Sequence, residues 1–140
     1  MKYFLHLYFL LNLFFTTAEA KYTITTHNDV LGTTSVIIPI EDVFEGKCIS
    51  QNGCLILDEI ITKIENKSIL IEVFCSNNLH YNYSWEVGNM YGYKISKCLI
   101  HKGLNPLKIR YVGYGELGEE KKENIIKISI QEPETMWLIN

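Results

Sequence analysis

The 140-residue chain contains one arginine, Arg110, three prolines and four cysteines, and its net charge is −3. A lone arginine excludes a guanidinium cluster of the kind that grips phosphate or carboxylate in bidentate fashion, except at that position. With 13 basic against 16 acidic residues there is no basic stripe to neutralise a phosphate backbone, which argues against a nucleic-acid partner. Histidine is sparse as well. His6, His27, His80 and His101 are scattered, without the spacing of a metal site or a catalytic triad, so the sequence implies no metal and no cofactor. Repeats and low-complexity tracts are absent.

What is present begins at the N-terminus. Lys2 is followed by an almost unbroken apolar run from Tyr3 to Phe15, closed by Thr16-Thr17-Ala18-Glu19-Ala20. The small residues Ala18 and Ala20 suit a signal-peptidase site, so residues 1–20 read as a cleavable secretion signal. The competing reading is a membrane anchor, but the run is well short of the ~20 apolar residues that a bilayer requires. Asn12 also interrupts it. No cysteine stands at the cut, so no lipid anchor is expected. The mature chain would start at Lys21, soluble and without a membrane span, and would lose Lys2 and Glu19 together, leaving the net charge at −3.

The cysteines, Cys48, Cys54, Cys75 and Cys98, are even in number, which on an exported chain permits two disulfides in three connectivities. Cys48 and Cys54 are close in sequence, and a small ring between them is the favoured pairing. The alternative is that some are buried thiols acting as small apolar residues. None of the spacings matches a zinc site.

Residues 21–34 are threonine-rich and read as a lead-in or an edge strand. Ser35 to Phe44 is a β-rich run, with Pro39 pushing part of it toward a sheet edge or bulge. Leu55, Leu57, Ile60, Ile61 and Ile64 recur at helical spacing, so Cys54 to Glu65 is predicted as an amphipathic helix. Ser68 to Cys75 is a nearly continuous apolar strand. A polar loop follows, and Ser84 is expected to cap a second helix whose buried stripe is Trp85, Met90, Ile95, Cys98 and Leu99. Gly103 stops that helix. Leu107 to Tyr114 and Asn124 to Gln131 are the last strands, joined by the charged turn Glu116 to Glu123. The order β-α-β-α-β-β predicts an α+β two-layer sandwich: two crossovers, a final hairpin, and a mixed sheet with helices on one face.

Detailed residues narrow this further. Phe44-Glu45-Gly46-Lys47-Cys48-Ile49-Ser50, Gly53 and Leu57-Asp58-Glu59-Ile60 resemble the opening of an OmpA-like domain, in which a helix carries "LLDEL". Cys98-Leu99-Ile100-His101-Lys102-Gly103-Leu104 is similar to the family's "yLisKGi". Lys108-Ile109-Arg110-Tyr111-Val112-Gly113-Tyr114-Gly115-Glu116 resembles its "rI...GyGe". The resemblance spans residues 36–131, and implies an OmpA-like domain over 35–131 with a tail at 132–140. It also implies that relatives hold peptidoglycan by the carboxylate and amine of diaminopimelate. They use an aspartate after the second strand and an arginine on the second helix.

The chain departs from that pattern where the clamp should be. Counting back from Lys102-Gly103, the arginine position falls on Tyr91 and the aspartate position on Ser76. "GHTD" has become Val73-Phe74-Cys75-Ser76, and the arginine pair of "NRRVEI" is missing around Asn124, Ile125 and Ile126. A hydrogen bond to a charged group contributes about 1.5–3 kcal/mol against about 0.5–1.5 for a neutral one. Losing two such groups therefore removes much of the affinity for a stem peptide, by tenfold for each ~1.4 kcal/mol.

Ser76, Asn77, Asn78, His80, Tyr81, Asn82, Tyr83, Trp85 and Tyr91 are then expected around the old pocket. Ser76, Asn77, Asn82, Trp85 and Tyr91 are the candidate ligand-binding residues of a remodelled, uncharged site. The plainer reading is that Trp85 and Tyr91 pack into the core or shield a vacated pocket. Cys75 with His80 is a remote nucleophile candidate. In the tail, Met136-Trp137-Leu138-Ile139 either packs back onto the domain or docks another protein.

From these observations the expected role is a non-catalytic domain in the Gram-negative periplasm, a docking part of an envelope assembly such as a secretion system. Its expected partners are the envelope proteins of that assembly, with peptidoglycan as the alternative.

Overall fold

The computed structural model describes residues 25–28, 34–65, 67–76, 81–115 and 124–131, with side chains from Thr34 onward except those of residues 81–83. In chain order the elements are β1 (Thr25–Asn28), β2 (Thr34–Pro39), a one-turn helix α1 (Ile40–Val43), β3 (Phe44–Glu45), β4 (Cys48–Ile49) and α2 (Gln51–Ile64). After these come β5 (Ser68–Phe74), α3 (Tyr81–His101), a 3-10 turn at Pro106–Lys108, β6 (Ile109–Tyr114) and β7 (Ile125–Gln131). The main sheet has the order β1-β2-β7-β5-β6, and β3 with β4 forms a separate two-stranded hairpin. This is the expected α+β architecture with a mixed sheet.

The strand order differs from expectation at one point. The last two strands do not pair as a hairpin: β6 lies parallel to β5 at the sheet edge, while β7 is antiparallel to both β2 and β5 and sits between them. Burial supplies the reason. Ile126 stands opposite both Ile38 and Val73, and Ile128 opposite both Val36 and Ile71, so both isoleucines are enclosed from two sides. At the edge beside β6 they would have had one covering strand instead of two.

Alternation along β5 buries Ile69, Ile71 and Val73 toward the helices. Ile56, Leu57, Ile60 and Ile64 of α2, with Ile95 and Leu99 of α3, complete the same core. On the opposite sheet face Phe74 stacks on Tyr114 with ring centroids 4.9 Å apart.

Three local features explain where elements start and stop. The run expected as one strand over residues 35–44 breaks at Pro39. That residue offers no ladder N–H, and its φ of −59° leads into the single turn that buries Ile40 and Val43. Helix α2 begins earlier than expected, because Ser50 caps it by accepting a hydrogen bond from the Gly53 N–H at 2.9 Å. Helix α3 ends at Gly103 as expected. Gly103 (φ 104°) permits bonds from Leu104 N–H to Leu99 O and from Gly103 N–H to Ile100 O, both 3.0 Å, and Leu104 is tucked into the core.

The start and stripe of α3 correct two expectations. Ser84 is not its cap: the helix starts at Tyr81, and Ser84 is fully buried with its hydroxyl unpartnered. Trp85 lies outside the stripe and is 51% exposed. The inward face is instead Ser84, Gly88, Tyr91, Ile95 and Leu99, at three-to-four spacing. Its first residues are small because the helix backbone must touch the sheet there. A Cβ on Gly88 would lie 3.0 Å from the Gly113 Cα, and a Cβ on Gly113 would lie 2.2 Å from the Asn89 nitrogen.

Asn89 tightens this seat by accepting a hydrogen bond from the Gly113 N–H at 3.0 Å. Gly113→Ala therefore forces α3 off β6 and is expected to lower stability by about 2 kcal/mol or more in urea unfolding. Gly46→Ala, where nothing stands within 4 Å of the added Cβ but φ is +61°, should cost only ~1 kcal/mol.

Candidate functional site

A cavity of about 300 Å³ opens where α1, the β3–β4 hairpin, the ends of β5 and β7, and α3 converge. Its walls include Glu41, Phe44, Gly46, Cys75, Tyr91 and Asn124. Chain order explains this convergence. Residues just past the C-terminal end of β5 and just before β7 meet at one end of the sheet, and α3 returns over them. Asn124 ties that end together, its Oδ1 accepting the Ser76 N–H at 2.8 Å.

Tyr91 forms one wall, and its polar atom is bonded to the neighbouring hairpin. Its ring packs on Phe44 with centroids 4.3 Å apart, and its hydroxyl donates to the Gly46 carbonyl at 3.0 Å. One turn along α3, the Lys94 ammonium donates to the Lys47 carbonyl. Tyr91 and Lys94 thus hold the β3–β4 hairpin against α3. Among the described lining residues, Glu41 is the only aspartate, glutamate, lysine or arginine. Among the described residues the lining is suited to neutral or amine-bearing groups and includes no lysine or arginine for a carboxylate.

Solved structures share the fold over most of the chain. A MotB-like protein from Desulfovibrio vulgaris superposes with a TM-score of 0.67 at 16% identity, covering 89% of this chain and 91% of its own. The cell wall anchor of the T6SS from Pseudomonas aeruginosa gives a TM-score of 0.65 at 10% identity, covering 76% and 86%. The OmpA-like domain of FopA1 from Francisella tularensis gives 0.55 at 16% identity, covering 78% and 77%. The chain has the OmpA-like fold. No family model and no curated protein matches the sequence.

Of the two positions assigned to the clamp, one is a cavity residue and the other its neighbour. Tyr91 lines the cavity, and Ser76 adjoins it through Cys75 and Asn124. Trp85 is on the helix surface, not among the lining residues. Asn77, Asn78 and His80, and the side chains of Tyr81, Asn82 and Tyr83, lie outside the described residues.

Sequence reasoning missed Glu41, Val87 and Asn124 as cavity residues. Asn124 carried a usable signal, since it stands in the "NRRVEI" position noted for its missing arginines. Glu41 carried none, because its segment reads as strand. Among the described residues no group of three or more His, Cys, Asp or Glu is placed to hold a metal ion.

All four cysteines are free thiols in the structure, the candidate pair Cys48 and Cys54 included. Cys48 is exposed in the β4 ladder opposite Glu45, whereas Cys54 is half-buried in the first turns of α2. Burial pushes the Cys75 thiol up to about 11. At pH 8 that leaves a thiolate fraction of roughly one in a thousand, which makes a poor nucleophile. Iodoacetamide labelling at pH 8 should therefore modify exposed Cys48 well before Cys75. Rapid, selective labelling of Cys75 would contradict its structural role.

Proposed function

We propose that this chain is an exported, non-catalytic protein of the Gram-negative envelope whose OmpA-like domain acts as a structural or docking part of a multi-protein assembly. The observation that carries this reading is the use of Tyr91 and Lys94. The position assigned to a ligand-gripping arginine is taken by a ring packed on Phe44 and a hydroxyl bonded to Gly46, and the nearby cation is bonded to Lys47. A scaffold kept while its ionic clamp is lost is best suited to a role carried by its surface. Support also comes from its neighbours, among them periplasmic domains of MotB and a T6SS cell wall anchor. In this reading residues 1–20 are removed, the mature chain begins at Lys21, and the tail from Glu132 contributes to docking. Among the described residues no helix is long and apolar enough to cross a membrane.

A second reading has one observation in its favour. The cavity of about 300 Å³ persists, with neutral polar groups on its wall. In that case Ser76, Asn77, Asn82, Trp85 and Tyr91 would hold peptidoglycan through uncharged and aromatic contacts.

Crosslinking in native envelopes followed by capture of the mature protein separates the two. Recovery in a defined complex of envelope proteins is expected, and recovery only as a free monomer would overturn the docking role. Purified sacculi should give no saturable co-sedimentation. Saturable binding that falls on Tyr91→Ala would establish the second reading instead.

A further inference from the structure

Cys54 and Cys98 have no assigned role, and the fold brings them to the same place. Strands β2 and β5 are both antiparallel to β7, so they run in one direction, and the helices that follow them, α2 and α3, run together in the other. An ion pair joins the two helices at this end, from Lys102 Nζ to Asp58 Oδ1 at 2.5 Å; Lys102 is one residue past α3, and its N–H still makes the helical bond to the Cys98 carbonyl at 3.0 Å. Cys54 of α2 lies four residues before Asp58, and Cys98 of α3 lies four residues before Lys102. On helices that run in the same direction, one matching turn back from a facing pair is another facing pair.

Packed helix axes are about 8–10 Å apart and each Cα lies about 2.3 Å off its axis. Facing Cα atoms then approach to roughly 3.4–5.4 Å, which overlaps the range of about 4.4–6.8 Å that a disulfide spans. Both thiols are half-buried in this seam, and Cys98 packs against the core. The electrostatics agree. Burial pushes the Cys98 thiol up, Lys102 pulls it down, and negative charge on Cys54 and Asp58 pushes it up again. Cys54 is thus close enough to act on Cys98. The other two thiols are elsewhere, Cys48 on the exposed β4 strand and Cys75 buried at the cavity wall.

We propose that Cys54 and Cys98 form a disulfide that staples α2 to α3. This pairing replaces the Cys48–Cys54 ring suggested by sequence proximity, and its cellular setting rests on the export reading above. The oxidant is a disulfide, either that of a thiol–disulfide oxidoreductase or oxidised glutathione. One of the two cysteines, as thiolate, attacks a sulfur of that disulfide and displaces the oxidant's first thiolate. The second cysteine, as thiolate, attacks the mixed disulfide, forms the Cys54–Cys98 bond and displaces the oxidant's second thiolate. Two electrons and two protons pass from the pair, and the oxidant leaves as two thiols. The bond closes the chain between the two helices and stabilises the fold mainly by restricting the unfolded state.

The test is to equilibrate the purified protein with oxidised glutathione, block remaining thiols with an alkylating reagent, and map the peptides. The proposal predicts that two of the four cysteines escape alkylation, that they are Cys54 and Cys98, and that Tm rises by about 10 °C over the reduced protein. Cys48→Ser and Cys75→Ser should leave the crosslink intact, and Cys98→Ser should free Cys54 to react. Alkylation of all four, or a crosslink containing Cys48 or Cys75, overturns it. Acid-trapping thiols in cells separates this from the export reading. A chain reduced in cells but linked between Cys54 and Cys98 in the purified protein supports the pair and counts against export.

Discussion

The close seat of α3 on β6, where Gly88 meets Gly113, is the contact on which the rest of the structure depends. Neither residue can carry a Cβ without meeting backbone or crowding it, and Asn89 locks the register by bonding the Gly113 N–H. Once this end of α3 is seated, its later turns have little freedom. Tyr91 and Lys94 fall over the β3–β4 hairpin, Ile95 and Leu99 fall into the core, and Cys98 and Lys102 fall beside α2. The cavity and the helix seam are both consequences of one backbone contact.

That dependence accounts for what could be read from the residues in advance. Period-two strands and the period of α2 identified the elements, because each buries one face regardless of its neighbours. Gly103 identified the end of α3 through its positive φ. The Gly-Tyr-Gly exit of β6 was legible only as a resemblance, and its physical reason is the Gly88–Gly113 contact. Three things were not legible. The insertion of β7 between β2 and β5 depends on a pairing choice over long range, for which local pattern carries no information. Ser84 resembles a cap locally, yet is placed by the need for a small residue against the sheet. The exposure of Trp85 follows from the rotation of α3, which the glycines set and hydrophobicity alone does not.

The candidate site shows the same division. Tyr91 and Ser76 were located by counting from a helix end, and both lie at the cavity. What counting could not supply is the direction of the Tyr91 hydroxyl, which faces the Gly46 carbonyl across the hairpin. A hydroxyl whose proton is committed to a backbone carbonyl must break that bond to donate to a ligand carboxylate, so it offers such a group little net affinity. Among the described lining residues the one acidic or basic side chain is Glu41, which does not favour a free carboxylate beside it. The fold is that of the OmpA-like neighbours, and the clamp positions carry Ser76 and Tyr91.

The central claim, that this OmpA-like domain has lost its grip on the wall peptide, is tested most directly by calorimetric titration with a soluble stem-peptide fragment bearing free diaminopimelate. The account predicts no saturable heat up to millimolar peptide, as expected when two charge-assisted contacts are missing. Saturable binding in the low micromolar range, lost on Tyr91→Ala, would contradict it.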